Sequence, residues 1–183
     1  MCESEKYDER YTISITYKKH YSRIVYYKVW SYIADHLTKS DKILDLGCGP
    51  GHLAQMLHDR GFKNYVGIDF SNVAIQMAKS KVPSFTFICA DLNYIDFSVY
   101  DDFKFVSTEC FEHLKSDIQL IERLPKNNII FSVPRSKAKF HYRTYKTEAF
   151  IRDYYKEVLN ISCVTRIKIT TTKALFIVEA TIL

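Results

Sequence analysis

The run Asp45-Leu46-Gly47-Cys48-Gly49-Pro50-Gly51 constrains this chain more than any other stretch. Three of the five glycines in its 183 residues fall there. Glycine reaches backbone conformations closed to other residues. A loop that gathers glycine is therefore a place where main chain turns tightly or something approaches closely. An apolar run, Lys42–Leu46, leads into the loop, and a helical pattern over 52–60 leaves it, stopped by Gly61. Strand, glycine loop and helix together form the junction at which open α/β sheets bind nucleosides.

The alternation continues along the chain. Residues 65–68 read as a second strand, and Ser71 as the cap of a helix over 73–79. Residues 85–89 and 104–107 read as strands three and four, 117–124 as a helix closed by Pro125, and 128–133 as strand five, stopped by Pro134. Thr147 caps a helix reaching about residue 158. Upstream, Tyr26, Trp30, Ile33 and Leu37 recur at helical spacing within 22–37. The end differs. Residues 161–170 and 175–183 are strand-like, and only Thr171-Thr172-Lys173 and one residue more lie between them. That spacing holds no crossover helix, so the two strands must pair antiparallel. The expected fold class is α/β: a Rossmann-like, mostly parallel seven-stranded sheet with helices on both faces and a C-terminal antiparallel hairpin. The expected organisation is one domain, with 1–40 as an N-terminal lid and helix segment and 41–183 as the core.

Composition excludes several classes. Apolar residues make up 47% and charged residues 26%, which is neither disordered nor fibrous. The net charge of +5 permits an anionic acceptor without demanding one. Cys2, Cys48, Cys89, Cys110 and Cys163 form no Cys-x-x-Cys pair, and so read as reduced thiols of a cytoplasmic protein. Residues 1–10 are mostly polar and lack a secretory signal pattern. No apolar run approaches the ~20 residues that cross a membrane.

A dinucleotide site would ask for Gly-x-Gly-x-x-Gly, but here the order is Gly47-x-Gly49-x-Gly51, with His52 at the place of the third glycine. Asp45 stands two residues before Gly47, at the strand's end. The second strand ends on Asp69, at a distance suited to a carboxylate that accepts both ribose hydroxyls. The third runs into Cys89-Ala90-Asp91-Leu92. Three carboxylates thus close three successive strands. On these residues, from about Lys42 to Leu183, the chain resembles the class I S-adenosylmethionine-dependent methyltransferases. The resemblance implies that Asp45, Gly47, Cys48 and Gly49 line the methionine end of S-adenosylmethionine. It implies that Asp69 and Phe70 hold the ribose and flank the adenine, that Asp91 and Leu92 read the adenine edge, and that Glu109 lies beside the sulfonium. The product would be S-adenosylhomocysteine.

After strand four the chain reads Glu109-Cys110-Phe111-Glu112-His113 and lacks Asn/Asp-Pro-Pro-Tyr, the signature of nucleic-acid amino methyltransferases. Glu-x-x-Glu-His resembles quinone-biosynthesis O-methyltransferases and small-RNA 2′-O-methyltransferases. That resemblance makes Glu109, Glu112, His113 and the later His141 candidate ligands for a divalent metal. Without a metal, His113 or His141 is a candidate general base. Two further segments could meet an acceptor. One holds Tyr7, Tyr11, Tyr17 and Tyr21 beside Lys18, Lys19, His20 and Arg23. The other holds Arg135, Lys137, Lys139, His141, Arg143 and Lys146. Each could equally be ordinary packing or a solvated basic loop.

The leading expectation is O-methylation of a small acceptor such as a sugar, a sugar nucleotide or another metabolite. RNA is the alternative acceptor, favoured by the Glu-x-x-Glu-His run and the basic loop. A non-catalytic module that keeps the cofactor pocket is a third reading, and a nucleotide dehydrogenase a distant fourth.

Overall fold

The computed structural model describes residues 3–138 and 140–183. The chain divides into two compact units, Met1–Ile95 and Asp96–Leu183. The described residues hold seven strands.

In the first unit β1 (Lys42–Leu46), β2 (Tyr65–Asp69) and β3 (Thr86–Cys89) pair in parallel, in the order β3-β2-β1. β1 and β2 are buried almost throughout, as parallel strands covered on both faces must be. Helix α1 (Glu3–Ile13) packs on α4 (Asn72–Lys81), and α2 (Tyr27–Asp35) on α3 (His52–Asp59). Ser71 caps α4 by accepting from the Ala74 N–H at 3.0 Å. Trp30, Ile33 and Leu37 are buried as their spacing predicts. The helix itself begins only at Tyr27, because Tyr21–Arg23 forms a separate 3₁₀ turn. Sequence periodicity gave no sign of α1. It is a polar helix whose apolar face is a few tyrosines, so no regular apolar stripe announces it.

In the second unit β4 (Phe103–Thr108) and β5 (Asn128–Pro134) pair in parallel. β5 then pairs antiparallel with β7 (Ala174–Ile182), and β7 with β6 (Leu159–Lys168), which gives the order β4-β5-β7-β6. The C-terminal hairpin is thus as the short turn requires. Helices α5 (Asp117–Glu122) and α6 (Glu148–Tyr155) complete the unit, and Thr147 caps α6 through the Phe150 N–H at 3.1 Å. A polar knot lies beneath them. Asp117, fully buried, accepts from the hydroxyls of Tyr154 at 3.0 Å and Tyr155 at 2.8 Å, and pairs with Arg143 at 2.7 Å. Among the described residues no helix is long and apolar enough to cross a membrane. Met1, Cys2 and Lys139 lie outside the described residues.

Candidate active site

The glycine loop is built by its backbone. Gly47, Gly49 and Gly51 all have φ between 52° and 75°, in the left-handed region. Gly51 is the residue from which α3 starts, and a Cβ there would stand 2.8 Å from the Ala78 Cβ. A Cβ on Gly49 would meet the Tyr11 hydroxyl at 3.3 Å.

Two of the three expected carboxylates close on this loop. Asp69, at the end of β2, is buried. One of its oxygens accepts from the Gly49 N–H and the other from the Ser71 N–H, each at 2.9 Å. Burial pushes its carboxyl up to about 6, although both hydrogen bonds pull the other way. Asp45, at 1% exposure, accepts from the Tyr65 hydroxyl at 2.6 Å through one oxygen. Its other oxygen is buried without a hydrogen-bond partner. Burial, with help from the nearby Asp69 charge, lifts Asp45 to about 7. An orphaned buried carboxylate oxygen is costly unless something cationic or hydrogen-donating meets it. Asp91 differs: it is exposed, and one oxygen already accepts from the backbone and side-chain N–H groups of Asn93, both at 2.9 Å. Leu92 beside it is buried. Cys48 is buried, and its Sγ would meet a Cβ on Gly67 at 2.8 Å, which explains the glycine in mid-strand.

The N-terminal segment adds what sequence reasoning missed. The Tyr7 ring lies edge-on to Phe70 at 5.2 Å, and Tyr11 edge-on to Tyr17 at 4.7 Å. Asp8 accepts from the Ser71 hydroxyl and from the Val73 N–H at 3.2 Å, so α1 helps to cap α4. Lys81 Nζ donates to the Tyr17 carbonyl at 3.0 Å and to the Pro50 carbonyl at 2.6 Å, which fastens the segment to the glycine loop. His52 stacks on Trp30 at 5.3 Å, and burial holds its imidazole down at about 4. The tyrosine spacing had marked this segment. Nothing in it marked Asp8 or Lys81.

In the second unit, three of the four candidate metal ligands come together. One ligand atom from each of Glu112, His113 and His141 lies within 4.8 Å of the others. Glu112 is fully buried, and neither carboxylate oxygen makes a hydrogen bond. Burial, reinforced by Glu109, raises its carboxyl well above the usual range. Glu109 stands apart from the trio: its carboxylate accepts from the Ser132 hydroxyl at 3.3 Å, and burial raises it to about 8. Of the basic loop, Lys137 and Lys146 are exposed, Arg143 is committed to Asp117, and Arg135 lies over the Phe176 ring at 5.7 Å.

A glycine-lined loop between β1 and α3, with carboxylates at the ends of the parallel strands β1 and β2, marks a Rossmann-like fold. Two solved structures share it. Magnesium protoporphyrin IX methyltransferase from Synechocystis PCC 6803, solved with bound SAM, is similar at a TM-score of 0.69 and 18% identity, over 99% of this chain and 98% of that one. The N-methyltransferase NodS from Bradyrhizobium japonicum WM9, in complex with S-adenosyl-l-homocysteine, is similar at a TM-score of 0.74 and 15% identity, over 99% of both chains. Residues 43–126 match the family described as a methyltransferase domain. The same region resembles the trans-aconitate 2-methyltransferase of Yersinia pestis, 41% identical over 58 residues, which is 31% of this chain and 22% of that protein. The matches cover only 11% to 22% of the curated relatives' lengths.

Proposed function

We propose that this chain is an S-adenosylmethionine-dependent methyltransferase acting at an oxygen of a small acceptor. The observation that carries the reading is the unsatisfied oxygen of Asp45 beside a loop of three left-handed glycines. A buried carboxylate raised to about 7 gains most from a cationic partner, and the methionine end of the cofactor carries an ammonium. In this reading Asp45, Gly47, Cys48 and Gly49 hold that end. Asp69 and Phe70 take the ribose and one face of the adenine, Asp91 and Leu92 the adenine edge, and Glu109 belongs to the sulfonium end.

The bound cofactor supplies a methyl group on a sulfonium, whose departure leaves a neutral thioether. The protein aligns the acceptor oxygen and takes up its proton. His113 is the candidate acceptor of that proton, with His141 beside it: the two rings meet edge-on at 4.8 Å. The oxygen–carbon bond forms as the carbon–sulfur bond breaks, and the proton passes to the imidazole. Among the relatives' names are one N-methyltransferase and one protoporphyrin methyltransferase, so the acceptor class rests on the His113 cluster rather than on likeness.

The convergence of His141 on Glu112 and His113 favours one second reading, 2′-O-methylation of small RNA. One carboxylate and two imidazoles would suit a divalent cation, which would orient neighbouring acceptor oxygens and lower their pKa. Calorimetry with S-adenosylmethionine and S-adenosylhomocysteine tests the cofactor, and absence of heat from both overturns the proposal. Turnover against pooled metabolites, sugar nucleotides and small RNAs, with and without EDTA, then tests the acceptor. Activity on small molecules that survives EDTA supports the first reading. Activity confined to RNA, lost with EDTA and falling steeply with salt, supports the second. His113→Ala should keep cofactor affinity and lower turnover by roughly 10²–10⁴-fold.

A further inference from the structure

The C-terminal hairpin carries its cations on one side. Residues directly opposite one another on neighbouring strands share a face, and along a strand the faces alternate. Val133, Phe176 and Arg166 form one such row across β5, β7 and β6. Arg135, one residue past the end of β5, continues the ladder: its N–H donates to the Ala174 carbonyl at 3.4 Å, and Lys168 lies opposite Ala174 on β6. Arg135, Arg166 and Lys168 therefore share one face at the carboxyl end of β5, around Ala174 and Phe176. The Arg135 guanidinium agrees with this, since it lies over the Phe176 ring at 5.7 Å. Glu179, the only acid in 159–183, stands three residues from Phe176 on β7, and so on the opposite face.

Three like charges on one face repel one another. Among the described residues none of the three side chains takes part in an ion pair. Cations on an edge strand can serve only to ward off pairing with another chain. That accounts for Arg166 and Lys168 on β6. It does not account for Arg135, which follows the interior strand β5 and is half-buried. Its Nε is fully buried and makes no hydrogen bond. A buried donor generally has a partner. In arginine, Nε and one Nη together form a fork that fits two oxygens of a phosphate or carboxylate, and stacking on Phe176 holds the plane of that fork.

Neighbouring strands lie about 4.8 Å apart, so the backbones of Arg135 and Lys168 stand about 10 Å apart with β7 between them. Long side chains at that separation can close on a single phosphoryl group above Ala174, the smallest side chain of the face. The residue before Ala174 is Lys173. Burial dominates at the Glu109 carboxyl, and the Ser132 hydroxyl and the Lys173 charge pull the other way. The cationic face thus ends close to the residue assigned above to the sulfonium end.

We infer that this face of the hairpin is an oxyanion site, in which Arg135, Arg166 and Lys168 hold a phosphoryl group of the small acceptor. That the phosphate belongs to the acceptor rests on the methyltransferase reading; the oxyanion site does not. The site is tested by titrating the full chain with inorganic phosphate, read from the ¹H–¹⁵N resonances of the Arg135 Nε–H and of the amides of residues 166–176. Saturable shifts at these positions are expected. Arg135→Met, which keeps an apolar stem over Phe176, should weaken phosphate about 10-fold, and Lys168→Met, on the exposed edge, about 3-fold. Lys126→Met, which alters an exposed lysine before the amino end of β5, should change nothing. Shifts that are absent, or that persist undiminished in both Arg135→Met and Lys168→Met, overturn the site and leave its cations as edge protection.

The acceptor's part is read as release of S-adenosylhomocysteine with a pool of sugar phosphates and nucleoside monophosphates, intact and after phosphatase treatment. Turnover should need the intact pool. In Arg135→Met its KM should rise about 10-fold, with kcat and S-adenosylmethionine affinity nearly unchanged. Turnover that survives phosphatase, is confined to small RNA or is absent from the intact pool overturns the acceptor's phosphate, while the titration stands. If calorimetry detects no heat with S-adenosylmethionine, the methyltransferase reading fails instead, and the phosphate titration still decides the site.

Discussion

Gly51→Ala probes the glycine loop at its tightest point. The new methyl would begin 2.8 Å from the Ala78 Cβ and 3.0 Å from its Cα, inside contacts that real side chains keep. The backbone there has φ 75°, which costs an L-residue about 1–2 kcal/mol. Forcing a methyl into a packed interior costs about 1–3 kcal/mol more. The substitution should therefore destabilise the first unit by roughly 2–5 kcal/mol, a large share of the ~5–15 kcal/mol that holds a typical domain together. Ala78→Gly alone should cost about 1–2 kcal/mol, as a helix-interior glycine and a lost buried methyl. The double variant should be more stable than the sum of the two by about 1–3 kcal/mol, because the clash is gone while the dihedral strain remains. The assay is urea unfolding of the full chain followed by tryptophan fluorescence. Trp30 is the only tryptophan and stacks on His52, the residue after Gly51. Additive effects in the cycle, or a Gly51→Ala loss below ~1 kcal/mol, would refute the reasoning.

Other consequences follow from the same site. Asp69→Asn leaves one oxygen for two N–H donors, so S-adenosylmethionine affinity should fall by about 1.5–3 kcal/mol, read by calorimetry; unchanged affinity removes Asp69 from the site. His52 is held neutral in the fold down to about 4, whereas the unfolded chain protonates near 6.5. Stability should thus be intact above pH 6.5 and fall as pH drops towards 4, by about 3 kcal/mol across that window, and His52→Gln should remove this acid limb; urea midpoints against pH decide it. Arg143→Met leaves Asp117 buried without its cation and should cost about 3–5 kcal/mol of stability at neutral pH, and a loss under 1 kcal/mol would show that the hydroxyls of Tyr154 and Tyr155 suffice.

How far the sequence could be read depended on the range of the interaction involved. Strand positions, the Ser71 and Thr147 caps and the C-terminal hairpin follow from local patterns, and they stood where spacing put them. Asp45 and Asp69 were legible because strand ends and glycine loops have fixed geometry. Asp91 was placed by the same logic, yet its side chain turns to Asn93, a local choice that short polar residues often make. Tyr65 was missed as the partner of Asp45, although the register that sets Asp45 opposite Gly67 brings Tyr65 within reach on the same strand face. The left-handed backbone of Glu109 and Phe140 could not be read at all. Nothing in a Glu or a Phe announces positive φ, which is imposed by contacts made elsewhere in the chain.

The shared cap at the start of α4 bears on the order in which the chain assembles. Asp8 and Ser71 are 63 positions apart, so their meeting closes a long loop before any reward returns. A polar helix with little apolar surface of its own should therefore dock late and detach early. Amide hydrogens of residues 3–13 should exchange with solvent well before those of β1 and β2, so that the partner which helps to cap α4 would be the first to leave its seat.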